Sequence, residues 1–154
     1  MPISPRERPF RMMRSGRAED QDFSPSELMY RRYLQDDFEG ESFRPARFSF
    51  PPSLNRQRYS EPEDVIFSET GEFDDCGVLE CSVEQLSVRL LDDRNVEYGF
   101  VPVHRPEENN YSHSEIWAKS SQSNAPTPQP SKVARKMYRT IASKLLKVKI
   151  EAKR

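Results

Sequence analysis

The sequence predicts a predominantly disordered chain with three local elements: a short α-helix near residues 25–36, a small antiparallel β-hairpin or sheet within 63–103, and an amphipathic basic α-helix over 132–152. Three observations predict it. Leu, Ile, Val and Phe supply about a fifth of the residues, which is the border of what a packed core needs. Thirteen prolines, 32% charged residues and a mean hydropathy of -0.89 push the same way. Charge also falls in blocks: residues 1–17 hold five Arg against one Glu, residues 60–97 twelve acids against two bases, and residues 131–154 nine bases against one acid. Ordering a residue costs about 1–2 kcal/mol of backbone entropy, so scarce apolar surface predicts order only where it is concentrated.

Residues 1–23 read as a basic disordered arm. Arg6, Arg8, Arg11, Arg14 and Arg17 recur every two or three positions, a spacing suited to phosphate contact along an extended chain. Residues 24–59 read as a short helix followed by a Pro/Phe/Arg-rich linker. Ser24-Pro25-Ser26-Glu27 places a cap, a first-turn proline and a capping-box acid, and Leu28, Met29, Tyr33 and Leu34 give a narrow apolar stripe. Phe43-Arg44-Pro45 and Phe48-Ser49-Phe50-Pro51-Pro52 mark the linker.

Residues 60–103 form an acidic segment with a small β module. Leu86, Val88 and Leu90 alternate with polar residues, Asp92-Asp93-Arg94-Asn95 turns the chain, and Val96, Tyr98 and Phe100 alternate again. This register sets Leu90 against Val96 and Arg89 against Glu97, with Val65-Ile66-Phe67 and Val78-Leu79 as further strand candidates. Residues 104–130 read as a disordered linker ending in SSQSNAPTPQP. In residues 131–154 Ser131 caps a basic helix. Ala134, Tyr138, Ile141, Leu145, Val148 and Ala152 share one face, and Met137 flanks it.

Little of this composition suits catalysis. The five glycines are scattered, so no phosphate-cradling loop exists, and no nucleophile elbow or metalloprotease helix appears. Cys76, Cys81, His104 and His113 are all the Cys and His residues; their C-x4-C and H-x8-H spacing departs from finger patterns, so neither a metal nor any other cofactor is expected. No apolar run is long enough to span a bilayer, and two cysteines build no disulfide framework.

The sequence therefore predicts a non-enzymatic, phospho-regulated adaptor of nucleus and cytoplasm with protein partners and no small-molecule substrate. Its contacts would lie in the central segment and the C-terminal helix. There Met137, Tyr138, Ile141, Leu145 and Val148 are the apolar candidates, and Lys136, Arg139, Lys144 and Lys147 the charged ones. One alternative is a nucleic-acid-binding accessory protein, cellular or viral, clamping with the Arg arm and the Lys-rich helix. The other is a peripheral binder of anionic membrane surfaces.

Short motifs add candidate modification sites. Arginines precede Ser60 and a proline follows it in Arg56-Gln57-Arg58-Tyr59-Ser60-Glu61-Pro62, which resembles basophilic kinase sites. Ser4, Ser24 and Thr127 each precede a proline. Val148-Lys149-Ile150-Glu151 is similar to the SUMO-attachment consensus, a lysine between an apolar residue and an acid, which makes Lys149 a candidate. Leu79, Val83, Leu86 and Val88 have export-signal spacing, in competition with the hairpin for the same residues.

Overall fold

A computed structural model describes residues 6–153; Ser4 and Arg154 lie outside that range. In chain order the elements are β1 (Leu28–Tyr33), β2 (Phe38–Glu39), β3 (Ser42–Phe43), β4 (Ser53–Arg56), β5 (Gly77–Ser82), α1 (Val83–Leu86), β6 (Arg89–Leu91), β7 (Glu97–His104), β8 (His113–Ser120), α2 (Lys132–Leu145) and β9 (Lys147–Ile150). Seven strands form one antiparallel sheet in the order β6-β7-β8-β4-β1-β5-β9, and β2 pairs with β3 as a separate hairpin. The expected predominant disorder is thereby overturned.

The physical reason lies in which side chains fill the interior. Counting only Leu, Ile, Val and Phe leaves out Tyr30, Tyr33, Tyr98, Tyr111 and Tyr138, all of which are buried. Burying one large apolar or aromatic side chain stabilises by about 1.5–3 kcal/mol, and the tyrosines supply much of what the aliphatics lack. Arginine stems add cover. Arg31 lies over Phe48 at 4.9 Å, Arg32 over Phe73 at 3.6 Å, Arg17 over Tyr111 at 3.8 Å and Arg56 over Phe23 at 3.9 Å.

One face of the sheet carries the main core. Met29, Leu54, Leu79, Phe100 and Ile116 lie under α2, whose Ala134, Tyr138 and Ala142 are buried against them. The Tyr138 ring stacks on Phe100 at 4.2 Å, and its hydroxyl donates to Leu86 O. On the opposite face Tyr30, Val65 and Val78 form a second cluster beneath the turn Pro62–Ile66.

The expected helix near 25–36 is instead strand β1. Ser24 closes only a single turn, its carbonyl accepting from Glu27 N–H, and the chain then runs extended between β4 and β5. A four-residue apolar stripe stabilises a short helix poorly, whereas a central strand buries Met29 and Tyr33 on one face and Tyr30 on the other.

The C-terminal helix stops at Leu145 rather than Ala152, and residues 147–150 turn back as an edge strand on β5. Gly77 permits this approach: a Cβ there would run into the Tyr33 ring and Ile150 O and would stand 2.6 Å from Ala152 N. In the hairpin, Leu90 opposes Tyr98 and Leu91 opposes Glu97, because Asp92 Oδ1 accepts from both Arg94 N–H and Val96 N–H and so fixes the turn. Leu86 belongs to α1, capped by Ser82 Oγ accepting from Gln85 N–H.

Candidate functional site

α2 and β9 together present a densely basic surface. Ser131 fixes the start of α2: its Oγ accepts from Ala134 N–H at 3.2 Å and donates to Asp92 Oδ2 at 2.9 Å, tying the helix to the β6–β7 turn. With Ala134, Tyr138 and Ala142 turned into the core, the helical period sends Lys132, Lys136 and Lys144 outward, while Arg135 and Arg139 are half-buried at its flanks. Lys147 and Lys149 of β9 and Lys153 beyond it are exposed as well.

Among the described residues none of these eight cations has an acidic partner within salt-bridge distance. The N-terminal arginines differ. Arg6 pairs with Asp74 at 2.7 Å, Arg8 with Glu69 at 3.6 Å, and Arg11 forks onto Asp64 at 2.6 and 2.7 Å. Arg14 and Arg17 donate to backbone carbonyls of residues 11–17 and Pro106. The arm is thus pinned to the acidic segment 61–75 and to the loop before β8.

The residues assigned to partner binding divide by burial. Tyr138 is fully buried; Ile141 and Leu145 are half-buried against the main core; Met137 and Val148 stand 38% and 45% exposed. Lys136, Lys144 and Lys147 are exposed and Arg139 is half-buried.

The modification candidates divide too. Ser60 is buried and donates to Arg56 O at 2.8 Å, so a kinase reaches it only by opening the fold. Ser24 is exposed in the turn before β1. Thr127 is half-buried and bridges Ala118 through both backbone groups. Lys149 is exposed on β9. The export-like residues Leu79, Val83 and Leu86 are core.

A buried polar knot holds the other end of the sheet. Arg56, with no exposed surface, forks onto both carboxylate oxygens of Glu27 at 2.8 and 2.9 Å and donates to Asp20 O and Asp22 O. Beside it His104 Nδ1 accepts from Asp20 N–H at 2.9 Å, which leaves Nε2 to donate to Tyr111 O at 2.6 Å. Burial holds the His104 imidazole below its usual pKa. The Asp20 carboxyl is held low by the Tyr59 hydroxyl and Asp22 N–H. Nothing in the sequence pattern singled out Glu27 and Arg56 as partners, because they are 29 residues apart and each reads alone as a surface charge.

A cleft of about 670 Å³ opens on the face opposite α2, and Arg8, Arg32, Ser53, Asn55, Asp64 and His113 are among its lining residues. Ser53 Oγ lies 3.3 Å from His113 Nδ1, and His113 Nε2 lies 3.5 Å from Glu115. That cluster follows from strand register, since Ser53 pairs with Glu115 and Asn55 with His113 on β4 and β8. Among the described residues no group of three His, Cys, Asp or Glu side chains converges as a metal site. Cys76 and Cys81 are buried free thiols, and burial pushes Cys81 up to about 11.

No family model, curated protein or solved structure matches the chain. The reading of the site therefore rests on its own chemistry. A fixed array of unpaired ammonium and guanidinium groups on a rigid helix and strand attracts anionic surfaces, and salt weakens that attraction.

Proposed function

We propose that the protein is a non-enzymatic docking module, a regulatory adaptor whose α2–β9 face binds an acidic surface of a protein partner. The observation that carries this reading is the contrast between the two basic ends: the N-terminal arginines are spent on internal acids and carbonyls, and the C-terminal cations are not. Met137 and Val148 add exposed apolar contact within that charged field.

A nucleic-acid reading gains less support. Tyr138, the one aromatic of α2, is buried, so the basic face has no ring on which bases stack. A membrane reading loses the helix's apolar stripe, because that stripe faces the sheet.

The test is a salt titration of binding to polyglutamate, poly(U) and phosphatidylserine vesicles. Polyglutamate is expected to bind best, with affinity falling about tenfold or more between roughly 50 and 300 mM salt. Reversing Lys136, Arg139 and Lys144 to Glu is expected to abolish that binding. Unchanged binding in the reversed variant, or tighter binding to poly(U) or vesicles than to polyglutamate, would falsify the reading.

A further inference from the structure

Val148-Lys149-Ile150-Glu151 sits on β9 and its exit, and that placement decides what the tetrapeptide presents. A helix spreads four consecutive residues around about 300° of its axis, so no single groove engages an apolar residue, its neighbouring lysine and an acid two further on. A strand lays the same residues in one line, open to a groove that reads extended peptide. β9 is the last strand of the sheet, and among the described residues no segment pairs with its outer side.

Along β9 and its exit the three recognition residues are exposed and the fourth is anchored. Val148 is 45% exposed, and Lys149 and Glu151 are exposed. Ile150 packs against the cluster of Tyr30, Val65 and Val78. Beyond it Ala152 N–H donates to the Tyr33 hydroxyl at 3.0 Å and Lys153 N–H to Asp75 O at 2.9 Å, so the segment is held extended past Glu151. Lys149 is also the extra residue of a bulge: Val78 pairs with Ile150 and Leu79 with Val148, which leaves Lys149 no counterpart on β5. Among the described residues its ammonium group has no acidic partner within salt-bridge distance.

We propose that Lys149 is an attachment site for a SUMO-type modifier. The co-reactant is the modifier carried as a thioester on a conjugating enzyme's cysteine. Lys149 Nζ attacks the thioester carbon, an isopeptide bond forms, and the carbon–sulfur bond breaks. The ammonium nitrogen gives up two protons in the process, one to the departing thiolate and one to solvent. Val148 supplies the apolar contact and Glu151 the charge contact that place the amine.

The test incubates the full chain with activating enzyme, conjugating enzyme, modifier and ATP, and reads conjugation rate on a gel and the linkage site by mass spectrometry. One conjugate at Lys149 is expected. Lys149→Arg, which keeps the charge, removes it; Val148→Ala and Glu151→Ala each slow it about tenfold or more, the loss of one recognised contact. Lys147→Arg leaves it unchanged. Amide exchange at residues 147–150 is expected to match the parent chain in each variant, which separates lost recognition from a lost strand. Absence of any conjugate, or conjugation that persists in Lys149→Arg or ignores Glu151→Ala, overturns the proposal.

Discussion

At Arg56 an ionic side chain occupies a place that a large apolar residue fills in most cores, and it stays there because every direction offers an acceptor. Glu27 takes the guanidinium fork, Asp20 O and Asp22 O take further N–H groups, and Phe23 covers the plane. Removing one partner of a buried pair strands the other charge, at a cost of about 3–5 kcal/mol. Arg56→Met is therefore expected to lower stability by about that amount, read as the shift in urea midpoint, and Glu27→Gln by at least as much, because it strands the buried Arg56 guanidinium, which cannot shed its proton as a stranded Glu27 can take one up. His104 adds a pH dependence. Its folded pKa lies below the unfolded value of about 6.5, so the native state binds fewer protons and this contribution is complete above about pH 6.5 and falls as the solution is acidified below it. Protonation would set a second N–H against Asp20 N–H. Asp20 contributes in a lower window, present above about pH 3.9 and lost below it. Melting temperature followed from pH 8 to 3 is expected to show both falls, and His104→Gln to remove only the upper one.

The elements differ in how far local signals determine them. Ser131 as a cap, the apolar face of α2 through Tyr138 and the turn at Asp92 were all legible, because each depends on residues three or four apart. β1 was not. Its apolar residues fit a helical stripe and a strand equally, and the choice is made by Cys81 and Arg56, which lie across from Met29 on β5 and β4. β9 escaped for a similar reason: Val148 and Ala152 continue the helical spacing of α2, and the strand forms instead because Gly77 admits the backbone of Ile150 and Ala152. Gly77→Val is thus expected to expel β9 while leaving α2 in place. Amide exchange should speed up at residues 147–150 and not at 134–142, with a loss of about 1–3 kcal/mol. Equal acceleration at both would show that β9 and α2 unfold as one unit.

At the scale of the whole molecule the three charge blocks were read correctly as blocks and incorrectly as a sign of disorder. The basic arm and the acidic segment partly cancel by contact, Arg6, Arg8 and Arg11 lying against Asp74, Glu69 and Asp64. That pairing leaves α2 and β9 as the basic field without an acidic partner among the described residues, balanced in the chain's net charge of -1 by acids elsewhere that it does not touch. The two basic ends should consequently separate under mutation. The Arg6 and Arg8 pairs are exposed or half-exposed and contribute up to about 1 kcal/mol each, whereas Arg11 forks onto the buried Asp64, so replacing Arg6, Arg8 and Arg11 with Gln is expected to lower stability by about 2–3 kcal/mol in total, most of it from Arg11. The same change frees Asp64, Glu69 and Asp74 on the sheet face opposite α2, so polyglutamate binding through Lys136 and Lys144 at roughly 150 mM salt, where charges beyond about 8 Å are screened, should alter by less than about twofold. Replacing Lys136, Lys144 and Lys147 with Gln should do the reverse, cutting binding while leaving the melting temperature within about 2 °C, because no intramolecular partner is lost. Comparable binding losses in both triple variants would mean that the arm and the helix act as one electrostatic surface, and the division of labour drawn from their pairing would fall.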